Sequence, residues 1–138
     1  MKQIALVTGG GRGVGRITAI TLAKNGWTVV VAGRDASAID AVAKEAGSDS
    51  IGIVCDVSDP ESVKSLFEQI KSKFGRIDLL FNNAGVISPG VALEEVQVED
   101  WRKVVDVNIS GVFYCTQQAF ALMKSQSPMG GRIINNGS

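Results

Sequence analysis

The sequence predicts an α/β fold, a doubly wound sheet of parallel strands with helices on both faces. Three observations carry that prediction. Short apolar runs alternate with longer amphipathic ones along the whole chain, the pattern of strand–helix–strand units joined by right-handed crossovers. The runs that read as strands are continuously apolar, as strands buried on both faces must be. A cluster of glycines, Gly9, Gly10, Gly11, Gly13 and Gly15, lies between the first strand and the first helix, where backbone must pass close to a ligand or to itself.

Each element follows from its residues. Residues 3–8 (QIALVT) form the first strand. Residues 14–25 form a helix that Gly26 closes. Residues 27–32 (WTVVVA) are a second strand, rich in β-branched side chains. Ser37 with Asp40 three residues on is the expected N-cap of a helix whose Ile39, Val42, Ala43 and Ala46 share one face. Residues 50–55 are a third strand. Ser58, Asp59, Pro60 and Glu61 start a helix, with cap candidates, an early proline and an acid in the first turn. Val63, Leu66, Phe67, Ile70 and Phe74 follow at helical spacing. Residues 77–81 are a fourth strand, and residues 86–95 the longest irregular stretch, with a turn at Pro89-Gly90. Residues 98–125 read as one long helix, with Trp101, Val105, Val112 and Ala119 expected inside. Residues 132–135 begin a fifth strand.

Composition narrows the function. At 138 residues the chain reads as one domain. Fourteen Lys and Arg against 14 Asp and Glu leave no net charge, which argues against a nucleic-acid binder. The apolar runs are far too short to span a bilayer, and the N-terminus does not read as a signal peptide. With no histidine, His-dependent triads and His metal sites are excluded, and no metal site is expected. Cys55 and Cys115 sit in apolar contexts and read as small core residues of a reducing cytoplasm.

The chemistry concentrates in the glycine turn. A strand that runs through glycines into a helix is a phosphate site, because backbone N–H groups converge there and the helix dipole favours an anion. The spacing G-x-G-x-x-G fits no register here, and no Gly-Lys-Ser/Thr ending marks a nucleotidase loop. Gly9, Gly13 and Gly15 instead spell T-G-x-x-x-G-x-G, with Gly11, Arg12 and Val14 between them. Further along, Asn82, Asn83, Ala84 and Gly85 end the fourth strand. Asp56 and Val57 follow the third, Asn108 lies in the middle of the long helix, and G-R-I-I-N-N-G-S ends at Ser138.

In these motifs, in their order and spacing, the chain resembles the short-chain dehydrogenase/reductase family over its whole length. Sugar epimerases of the extended type carry T-G-x-x-G-x-x-G, which would need glycine at Arg12. The resemblance implies a dinucleotide-binding, Rossmann-like domain over residues 1–138, with visible strand order 3-2-1-4-5 and an incomplete C-terminal side. It implies hydride transfer between a nicotinamide cofactor and an alcohol or carbonyl substrate. The cofactor would be held by Gly9, Gly11, Arg12, Gly13, Val14, Gly15, Arg34, Asp56, Val57, Asn83, Ala84 and Gly85, with Asn82 more structural. Ser138 would hydrogen-bond the substrate oxygen, and the backbone at Asn108 would hold a water. A homodimer or homotetramer and a cytoplasmic location are also implied.

The choice of cofactor rests on charge. An acid at the end of the second strand binds ribose hydroxyls, whereas arginine accommodates a 2′-phosphate. Here the strand is followed by Gly33, Arg34 and Asp35, with Arg12 a second cation nearby. These charges favour NADP, with NAD the second choice. The competing reading leaves Arg34 in solvent and turns Asp35 inward to bind ribose.

The chain departs from the family at its acid/base pair. A tyrosine near pH 10 is a poor base without a neighbouring cation, and the family supplies one in Tyr-x-x-x-Lys. The only tyrosine here, Tyr114, has Gln118 at the fourth following position, so the role is not carried over to it. The pair is expected downstream of Ser138. Two other readings stay open: a non-catalytic dinucleotide-binding module, and a 3-oxoacyl-thioester reductase of fatty-acid synthesis.

Overall fold

A computed structural model describes residues 2–47 and 49–137. Five parallel strands form one sheet: β1 (Ile4–Thr8), β2 (Thr28–Gly33), β3 (Ile51–Val54), β4 (Leu79–Asn82) and β5 (Arg132–Asn135). Their spatial order is β3-β2-β1-β4-β5, the order expected from the sequence. The registers are in phase, with Leu6 beside Val30 on one side and Leu80 on the other.

The pleat sorts the core into two layers. Leu6, Val30, Ala32 and Leu80 point to one face, where α3 (Pro60–Phe74) supplies Val63, Leu66, Phe67 and Ile70. Helix α5 (Gly111–Ser125) adds Cys115, Ala119, Leu122 and Met123 to that layer. Val7, Val29, Val31 and Phe81 alternate to the other face. There they meet Ala19 of α1 (Gly13–Lys24) and Ile39, Val42 and Ala43 of α2 (Ala36–Ala46). Each fully buried Val, Leu or Ile contributes about 1.5–3 kcal/mol. Two opposed apolar layers explain why the strands carry no polar alternation.

Helix ends follow their caps, with one correction. Asp59 caps α3, its Oδ1 accepting from the Glu61 N–H at 3.0 Å, with Pro60 in the first turn. Helix α2 is capped by Asp35, whose Oδ1 accepts from the Ala38 N–H at 3.1 Å, and not by Ser37, which lies inside the helix. An acceptor one residue before the first helical position reaches the orphan N–H groups; one inside the helix does not.

The long helix is also corrected. It divides into α4 (Val98–Val105), a π-helical turn (Asp106–Ser110) and α5. Ala119 is buried as expected, whereas Val105 and Val112 are half-buried. Trp101, expected inside, is 63% exposed. Helix α4 packs its narrow apolar side at Val104 and Val105 and turns Trp101 outward.

Candidate functional site

The chain leaves β1 toward β2 on one side, and β4 enters on the other. Between such strands an open parallel sheet forms a crevice at its carboxyl end. A cleft of about 650 Å³ lies there. Gly9, Gly11, Arg12, Arg34, Asp56, Val57, Asn83, Ala84 and Gly85 all line it. Gly13, Val14 and Gly15 do not; they form the start of α1 beside it.

The floor is a backbone structure that excludes side chains. Gly9 has φ +59°, and a Cβ there would lie 2.9 Å from the Ala84 Cα. A Cβ on Gly15 would lie 2.2 Å from the Gly9 carbonyl oxygen and 2.6 Å from Asn83 Nδ2. The helix therefore approaches the turn as closely as backbone permits. Arg12 precedes α1 in extended conformation and gives no side-chain cap, and the first turn carries no acid. The opening N–H groups of α1 thus stay free for an anion.

The wall opposite is held by Thr8, which opens the T-G-x-x-x-G-x-G motif but was given no role from the sequence. Its hydroxyl, 2% exposed with its residue, accepts from the N–H groups of Asn83 and Ala84, each at 3.0 Å, and donates to the Phe81 carbonyl at 3.4 Å. Asn83 Nδ2 donates to the Gly9 carbonyl at 3.1 Å. Asn82 turns away from the cleft and donates to Thr116 Oγ1 at 3.2 Å and Asn135 Oδ1 at 2.9 Å. The sequence signal for Thr8 was its place at the end of a strand, as the threonine of T-G-x-x-x-G-x-G.

At the β2 end both competing side chains line the cleft. Asp35 uses one carboxylate oxygen, Oδ1, on the α2 cap. Arg34 and Arg12 also line the cleft, and among the described residues neither is in an ion pair. Beyond β3, Asp56 Oδ1 accepts from the Ser58 N–H at 3.0 Å and from its hydroxyl at 2.7 Å. Asp56 therefore both shapes a turn and faces the cleft. Cys55, Ala38 and Ile39 add an apolar side that the sequence reading did not assign. Burial pushes the Cys55 thiol up against a contrary pull from Ser62, and pushes Cys115 up to about 12. Both thiols are free and buried, so they stay protonated and unreactive near neutral pH.

Asn108 sits in the π turn and is exposed. Both ends of its amide are nonetheless engaged. Oδ1 accepts from the Val86 N–H and Nδ2 donates to the Val86 carbonyl, both at 2.8 Å. The side chain imitates a strand partner for the segment that follows Gly85. A widened turn at this point interrupts the α-helical ladder, a feature common at functional sites. Ser138 lies outside the described residues.

Comparison with known proteins agrees with this geometry. The profile of the short chain dehydrogenase family matches residues 3–138. The chain belongs to that family. Within it, the chain is 40% identical to a 3beta-hydroxysteroid dehydrogenase of Mediterraneibacter gnavus, over 97% of this chain and 49% of that protein. It is similar to a 3-ketoacyl-(acyl-carrier-protein) reductase of Brucella melitensis complexed with NADH, with TM-score 0.92 and 33% identity over 96% of this chain and 55% of that one. It is likewise similar to the Pseudomonas aeruginosa RhlG/NADP active-site complex, with TM-score 0.89 and 37% identity over 99% of this chain and 54% of that one. The chain spans about half the length of the curated relatives it matches. Among the described residues no helix is long and apolar enough to cross a membrane.

Proposed function

We propose that this chain forms the dinucleotide site of an oxidoreductase that moves a hydride between NADP(H) and an alcohol or carbonyl carbon of a small molecule. The observation that carries the reading is the cleft itself. Gly9 and Gly15 leave no room for a side chain in its floor, and Arg12 and Arg34, in no ion pair among the described residues, line it. That donor set suits a dinucleotide with an extra phosphate. Backbone N–H groups at the start of α1 would hold the pyrophosphate, and Arg34 with Arg12 would take the 2′-phosphate as bidentate forks. Asp56, Val57 and the apolar side at Ile39 would receive the adenine, and Asn83, Ala84 and Gly85 would line the path toward the nicotinamide. When bound, the cofactor supplies or accepts the hydride. Ser138 would hold the substrate oxygen and stabilise its charge, and the backbone at Asn108 would hold a water. No residue of this chain is assigned the proton transfer.

NAD is the second choice, and the neighbour crystallised with NADH favours keeping it as a control. The similarity to a 3-ketoacyl-thioester reductase makes such a thioester one substrate to try beside a hydroxysteroid. The exposed Trp101, Phe113 and Phe120 on α4 and α5 support a homodimer or homotetramer, and the two free, buried cysteines support a cytoplasmic location.

The test is a fluorescence titration of NADPH and NADH against the wild-type protein and Arg34→Ala. The expected result is tighter NADPH binding by wild type and a tenfold or greater loss of NADPH affinity in the variant, with NADH changed little. A single charge-assisted bidentate contact is worth roughly 1.5–3 kcal/mol. Equal NADPH affinity in both proteins would remove Arg34 from the phosphate site.

A further inference from the structure

A chain of side-chain amides crosses the carboxyl ends of three adjacent strands beneath the cleft. Asn136, just after β5, donates from Nδ2 to Asn83 Oδ1 at 2.9 Å. Asn83, just after β4, donates from its own Nδ2 to the carbonyl of Gly9, just after β1. The Asn136 N–H also donates to the Asn82 carbonyl at 3.0 Å, so its backbone is anchored to β4. We infer that Asn136 is a positioning residue for the cofactor, acting through Asn83 on the glycine turn. This inference rests on the dinucleotide reading of the cleft.

The physical reason is the direction of an amide. The two ends of an Asn amide have nearly the same shape, and only its partners decide which end faces where. The donor from Asn136 requires the Asn83 oxygen to face β5, which aims the Asn83 NH₂ group at the Gly9 carbonyl. With that donor removed, the Asn83 amide is held at one end only, by its bond to the Gly9 carbonyl. That bond fills the space at the start of α1, where even a Cβ on Gly15 would lie 2.2 Å from the Gly9 carbonyl oxygen and 2.6 Å from Asn83 Nδ2. A less firmly held Asn83 leaves the glycine turn, and the phosphate-holding N–H groups on it, less precisely placed. Asn136 also stands two residues before Ser138, so the same relay ties the end of β5 to the cofactor floor.

The test measures NADPH and NADP⁺ affinity in Asn136→Leu, which keeps the volume and loses the donor, and in Asn136→Asp. Because Asn136 is exposed, both variants should fold, and thermal melts of the free proteins check it. Asn136→Leu should weaken NADPH binding about fivefold, the ratio that one net hydrogen bond is worth. It should have no further effect in an Asn83→Ala background, since the relay is already cut there. Asn136→Asp should be equally weak at pH 7.5. Relative to wild type at each pH, its NADP⁺ affinity should recover as pH falls through the carboxyl's range near 4, where a protonated carboxyl can donate again. A merely structural role would not produce that recovery. Wild-type affinity in Asn136→Leu, or an unchanged loss in the Asn83→Ala background, would overturn the relay while leaving the dinucleotide reading intact. Failure of the wild-type protein itself to bind either cofactor would overturn that reading and the relay with it.

Discussion

At the scale of single residues, the cleft depends on side chains that are missing. Gly15 is the sharpest case. Any Cβ there meets the Gly9 carbonyl at 2.2 Å, far inside contact distance, and the obstacle is backbone that cannot rotate away. Gly15→Ala should therefore push α1 off the turn. The expected cost is about 2–3 kcal/mol of stability, at the upper end of overpacking penalties, with cofactor affinity lost beyond detection. Chemical denaturation and the NADPH titration together measure both. Gly13→Ala provides the contrast: its Cβ meets nothing within 4 Å, and only the strain of φ +56° opposes it. The glycine spacing in the sequence already pointed to this turn. It did not separate the glycine that cannot accept a Cβ from the one that merely prefers to lack it, because that distinction depends on how the turn folds Gly9 back against α1 and on Asn83 arriving from β4.

At the scale of elements, the strands were legible and the helix ends less so. All five strands fall within about two residues of their expected bounds, and in β1, β2 and β4 burial on both faces writes an unbroken apolar run. Caps are harder, since several residues near a helix start could each serve. Ser37 and Asp40 fitted a capping box, yet Asp35 stands at the position from which a side chain can reach the orphan N–H groups. The π turn at Asn108 left no trace in the pattern, because one extra residue per turn does not disturb a short run of helical spacing. The reach of Asn108 to Val86, 22 residues away, was equally invisible. The cap on α2 leads to a prediction that also bears on the cofactor. Asp35→Ala should lower stability by about 1 kcal/mol, the usual worth of an N-cap, and leave NADH affinity unchanged. A clear loss of NADH affinity with unchanged stability would return Asp35 to the ribose.

At the scale of the whole molecule, the sheet has two differently built ends. The carboxyl end carries the cleft, and the amino end carries a clamp. Arg76, only 9% exposed, pairs with Asp78 through Nε and Nη2, the shortest contact being 2.7 Å. It also donates to the Ser127 carbonyl at 3.0 Å and the Pro128 carbonyl at 3.3 Å. Asp78 Oδ2 accepts from the Ile4 N–H at 2.9 Å, so one carboxylate ties β1 to the loop that leads into β5. Burial opposes ionisation of Asp78 more than any single contact favours it. The hydrogen bonds from Arg76, the Ile4 N–H and the Arg76 charge together still hold the carboxyl below its ordinary value of 3.8. A depressed carboxyl stabilises the fold fully above that ordinary value, and the contribution fades as pH falls through the lowered one. Asp78→Asn should cost about 2 kcal/mol near neutral pH, less than the roughly 3–5 kcal/mol of a fully buried pair because solvent still reaches the edge of this one. Its stability should also fall less steeply than wild type between pH 4 and 2, since the proton uptake that drives that fall is gone. Urea unfolding at pH 7.5 and in steps across that acid range measures both effects. Parallel wild-type and variant curves would mean that the carboxylate is not what links the strands. NADPH affinity at pH 7.5 should be unchanged in the folded variant, because the clamp and the cleft lie at opposite ends of the same strands.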